Sequence, residues 1–180
     1  WVQRQGNETT KIVIWTDGDG KNAAFDADGR PSKALEQLAG NARVLLPDLL
    51  GQGEFNADDG TVDRQRLVDD SRNYSAFTFG YNRTLVAQRV GDLLTCIRYA
   101  NQQKDANVRL LASGGAAPWS AVLPAAAEGL IEKTLMDTAG FRFASVESYQ
   151  DANFVPGAVK YGDVPVQMVL GDNIRVAGET

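Results

Sequence analysis

The sequence predicts an α/β fold: a three-layer sandwich with a mainly parallel sheet. Short, nearly continuous apolar runs alternate with segments that can be capped as helices, the pattern of buried parallel strands and their crossovers. The 180 residues suffice for one domain with its own core. Hydrophobic residues make up 43% and charged residues 23%, which is the balance of a folded globular chain and not of a disordered one. One domain over residues 1–180 is expected, since no internal repeat or low-complexity linker divides it.

Residues 11–15, KIVIW, form a β-branched apolar run and read as a buried strand. The loop TDGDGKNAAFDADGRP follows. Ser32 can cap a helix through Leu38, with Glu36 and Gln37 in its early turns, and Gly40-Asn41 ends it. Residues 42–47, ARVLLP, read as the second strand. DLLGQGEFNADDGTVDRQ is a long polar loop, and such loops in compact domains are often functional. Residues 82–102 are the clearest helix: Val86, Val90, Leu93 and Ile97 share one face, with Arg89, Asp92 and Arg98 largely off it. Residues 108–112 read as the third strand. Residues 119–129 read as a helix disturbed in its middle by Pro124. Residues 133–137, KTLMD, and 164–170, VPVQMVL, read as the fourth and fifth strands. Parallel sheets hold their sites at the carboxyl ends of the strands, so the following loops are where function is expected.

Composition narrows the chemistry. A net charge of -5, with no run of Lys and Arg, disfavours a nucleic acid or an anionic membrane as partner. The chain contains no histidine. That removes the usual general base, the usual partner of a Ser or Cys nucleophile and the commonest zinc ligand. Cys96 is the single cysteine, so no internal disulfide forms, and its place on the apolar side of a helix reads as buried and inert. The start Trp1-Val2-Gln3 lacks Met and reads as that of a mature or excised piece of a longer protein. No cofactor and no metal is expected.

The stretch LLASGGAAPWSAVL, residues 110–123, is a strand, a small-residue turn and a helix, the layout in which many α/β enzymes hold a nucleophile. The pattern G-x-S-x-G needs small residues two before and two after the nucleophile. Ser113, Gly114, Gly115, Ala116 and Ala117 meet that size rule with Gly115 in the nucleophile slot, where there is no side chain. Three readings of the turn stand: a structural turn, an anion site made of backbone N–H groups, and Ser113 itself as nucleophile beside a lysine. The loop from Asp17 to Gly29 carries four aspartates and reads as a solvated loop or a calcium loop, although its spacing fails the EF-hand rule at Lys21 and Asp28. Asp137 and Asp172 follow strands and read as caps or loop hydrogen bonds, or as orienting acids with no His to orient. Asp48 and Glu54 form a further acidic pair.

The order of the pieces then matters: WTDGDGK, VLLPDLLGQGE, GYNRTLVAQRVGDLLTCIRY, the small-residue turn, LMDTAGFRF and NFVPGAVKYGD. Over residues 11–175 this resembles the α/β-hydrolase superfamily, and more narrowly the acetyl xylan esterase-like hydrolases, which include two-domain bacterial forms. The resemblance implies an α/β-hydrolase-like fold, truncated here, and an exported or periplasmic location. It implies that Gly18 and Gly20 stand in an oxyanion-hole loop, that Gly115 replaces the nucleophile, and that Asp172 is a remnant of the acid. The family's histidine has no counterpart. The implied function is a degenerate second copy, a pseudoenzyme with a structural or binding role beside an active sister hydrolase domain or in a homo-oligomer. Carbohydrate is an implied ligand, with Trp119 and Phe141, Phe143, Phe154 and Tyr161 either lining a carbohydrate-facing surface or packing in the core and at a domain interface. The alternative is an esterase of acetylated polysaccharide completed by residues from outside this chain.

Overall fold

β1 (Lys11–Asp17), β2 (Arg43–Leu45), β3 (Asn107–Ser113), β4 (Lys133–Asp137) and β5 (Ile174–Ala177) form one all-parallel sheet in the order β2-β1-β3-β4-β5. The computed structural model describes residues 1–3, 9–55, 62–65, 75–171 and 173–177. The helices are α1 (Lys33–Ala39), α2 (Ser75–Phe79), α3 (Leu85–Asn101), α4 (Ala117–Ser120), α5 (Leu123–Ala126) and α6 (Asp163–Val169).

The strand period of two sorts side chains between two cores. Ile12 and Ile14 of β1, Leu110 and Ala112 of β3 and Met136 of β4 join Leu93, Ile97 and Ala100 of α3 in the larger cluster. Val44 and Trp15 point to the other face and meet Leu35 and Ala39 of α1. Leu93 and Ile97 are fully buried, each worth about 1.5–3 kcal/mol by transfer from water. The two main helices begin where hydroxyls can cap them: Ser32 Oγ accepts from the Leu35 N–H at 3.3 Å, and Thr84 Oγ1 from the Ala87 N–H at 3.1 Å.

Three expectations are corrected. Residues 164–170 are not the fifth strand: 164–169 lie in α6, Leu170 is its C-cap, and β5 follows. A short apolar run has no period that separates a strand from a buried helix. Val164 and Met168, one helical turn apart, pack on the larger core, and Pro165 sits in the first turn, where no amide hydrogen is needed. Residues 119–129 are not one interrupted helix: the segment is divided between two single turns, α4, which starts earlier at Ala117, and α5, each with Pro at its start. Arg89 is not off the apolar face: it is only 1% exposed. Its guanidinium carbon stands 4.5 Å from the Trp119 ring centre, and its Nε donates to the Leu50 carbonyl at 3.0 Å.

Asp163 holds α6 to the preceding chain. Its carboxylate accepts from the N–H groups of Phe143 (2.8 Å), Ala144 (2.9 Å) and Val164 (2.6 Å). Burial pushes this carboxyl up, but the three amides and Arg142 more than offset that and hold it below the usual carboxylate range. A depressed folded-state value contributes stability above the unfolded value and loses it as pH falls through the folded one. Asp163→Asn is therefore expected to be less stable than the parent at pH 7. In urea melts the gap should close as pH drops below about 4.

Candidate functional site

The parallel register sets Asp17, the last residue of β1, directly beside Ser113, the last residue of β3. Ser113 Oγ donates to Asp17 Oδ2 at 2.5 Å and accepts from Trp15 Nε1 at 2.8 Å. The other carboxylate oxygen, Oδ1, accepts from the Asp19 N–H at 3.1 Å. Ser113 thus has a carboxylate and an indole as partners, with no lysine between them. A carboxylate is too weak a base to strip a proton from an alcohol at neutral pH. The hydroxyl is held as a hydrogen-bond link.

The turn after Ser113 is closed by the Ala116 N–H donating to the Ser113 carbonyl at 2.9 Å. Gly114 and Gly115 both take positive φ, +53° and +86°, as the two central residues of a type I′ turn must. Their environments differ. A Cβ on Gly114 would collide with the Asp17 carboxylate, whereas one on Gly115 would meet open space. Ala116 and Ala117 are buried, and α4 that follows is a single turn. So short a helix supplies little of the dipole that the anion-site reading of this turn needs.

Gly18, placed in an oxyanion-hole loop by resemblance, is in backbone contact with the turn. Its N–H donates to the Gly114 carbonyl at 3.0 Å, so that donor is occupied by the chain itself. A Cβ at Gly18 would overlap the same carbonyl oxygen. Gly20 has φ +67° and lies against the Asp48 carboxylate. Both glycines allow close approach of chain segments.

Gln52 was not singled out by sequence, and it organises this end of the sheet. It is fully buried, donates through Nε2 to the carbonyls of Asp17 (2.9 Å) and Gly18 (2.7 Å), and accepts from the Leu49 N–H at 3.1 Å. The one signal for it was its place between Gly51 and Gly53, both of positive φ. The acidic pair is brought together as expected from neither residue alone. Lys21 Nζ lies 3.2 Å from Asp48 Oδ2 and 2.5 Å from Glu54 Oε1. The hydrogen bond to Glu54 leads the causes that raise the Lys21 value, and the two carboxylates are engaged as an ion-pair hub.

The remaining residues are placed as follows. Trp119 is 2% exposed and donates from Nε1 to Thr16 Oγ1 at 3.1 Å, so it lines no surface for a ligand. Phe143 is buried, Phe141 packs edge-on against it, and Phe154 stacks on Phe79; Tyr161 is exposed. The four aspartates of the 17–29 loop are dispersed. Asp17 serves Ser113, Asp26 accepts from the Asp28 and Arg30 N–H groups, and Asp28 lies 3.5 Å from Arg30. Among the described residues no three His, Cys, Asp or Glu side chains converge as metal ligands do. Asp137 accepts from the Ala139 N–H at 2.9 Å, a loop hydrogen bond. Asp172 lies outside the described residues. Cys96 is half-buried, and burial pushes its thiol up, away from the reactive thiolate. Among the described residues no helix is long and apolar enough to cross a membrane.

The two turn glycines yield a paired prediction. Gly115→Ala carries only the left-handed backbone penalty of about 1–2 kcal/mol. Gly114→Ala adds a collision with Asp17 and should cost more, about 3 kcal/mol or above by denaturant unfolding.

Comparison with family models, with curated proteins and with solved structures gives no match for this chain.

Proposed function

We propose that the chain is a catalytically incomplete α/β-hydrolase-like domain with a structural or binding role, working beside an active hydrolase domain. The observation that carries this reading is the state of Ser113. Its hydroxyl is spent on Asp17 and Trp15, and the sequence offers no histidine to activate it. The Gly18 amide, spent on the Gly114 carbonyl, supports the same conclusion. The all-parallel sheet, with a small-residue turn at the carboxyl end of its central strand, is compatible with that fold. A docking role is supported by the exposed apolar side chains around α6: Tyr161 at 72%, Val169 at 85% and Leu170 at 70%.

The second reading is an esterase of acetylated polysaccharide completed by residues from elsewhere. What favours it is that Ser113 and Asp17 already touch at the carboxyl ends of neighbouring strands. One experiment, on the protein in its native assembly with any partner domain present, separates the two. A fluorophosphonate probe should label no residue of this chain, and Ser113→Ala should leave the hydrolysis of nitrophenyl acetate and acetylated xylan unchanged. Turnover abolished by Ser113→Ala, or a label on Ser113, would favour the esterase.

A further inference from the structure

We draw no further inference here: the strongest candidate, the apolar groove of Val13, Leu38, Leu111 and Leu135 on the sheet face opposite α3, carries nothing because nothing in the structure shows what covers it.

Discussion

The contact between the ends of β1 and β3 is the constraint on which the rest of the carboxyl edge depends. Asp17 and Ser113 are register partners, and the hydrogen bond between them joins two strands whose backbones already pair. Trp15 adds its indole N–H from the same side, and the Gly18 amide reaches the Gly114 carbonyl. Only glycine permits that approach, at both Gly18 and Gly114. A polar cluster with its members hydrogen-bonded in a poorly hydrated place is rigid, because each loss leaves a buried group without a partner. The same bonds engage the Ser113 hydroxyl as donor and as acceptor. What holds the turn in shape is also what occupies its reactive atoms.

Two further centres fasten the loops to this edge. Gln52 reaches from the loop after β2 to the carbonyls of Asp17 and Gly18, and Lys21 ties the loop after β1 to Asp48 and Glu54. Gln65 does the equivalent work farther along, accepting from the Leu85 N–H and donating to the carbonyls of Asp151 and Phe154. Arg89 is the costliest member. Burial draws its guanidinium down to about 10, with Asp92 opposing, and its Nη2 has no hydrogen-bond partner among the described residues. The flat face of Trp119 and the Leu50 carbonyl compensate in part. Truncating Trp119 would thus disturb a cation as well as a core.

Much of the fold was legible because its signals are local. Residues 133–137 are bounded as the apolar run predicts, and Ser32 caps α1 as its hydroxyl before an apolar face predicts, whereas α3 begins three residues later than expected, after the cap at Thr84. The failures share one cause. The run 164–170 has apolar content but no period to choose helix or strand, and Asp163, bound to amides 19 and 20 residues earlier, settled it. Arg89 reads as a surface cation because helical spacing cannot register a tryptophan that arrives from α4. Of the candidate site, the turn itself was visible in its small residues. Its partner Asp17 was not, since it lies 96 residues away and only strand pairing brings it there.

By itself, then, the sequence determined the alternation of strands and helices, the absence of any imidazole, and the lack of a side chain at Gly115. These follow from residue identity and from periodicity along the chain. Only the tertiary structure decided what Ser113 is bonded to, that Trp119 is core, and that Asp48 and Glu54 share one lysine. Each of these depends on which distant segments lie side by side. That is set by strand order and by the handedness of the crossovers, neither of which a single segment encodes.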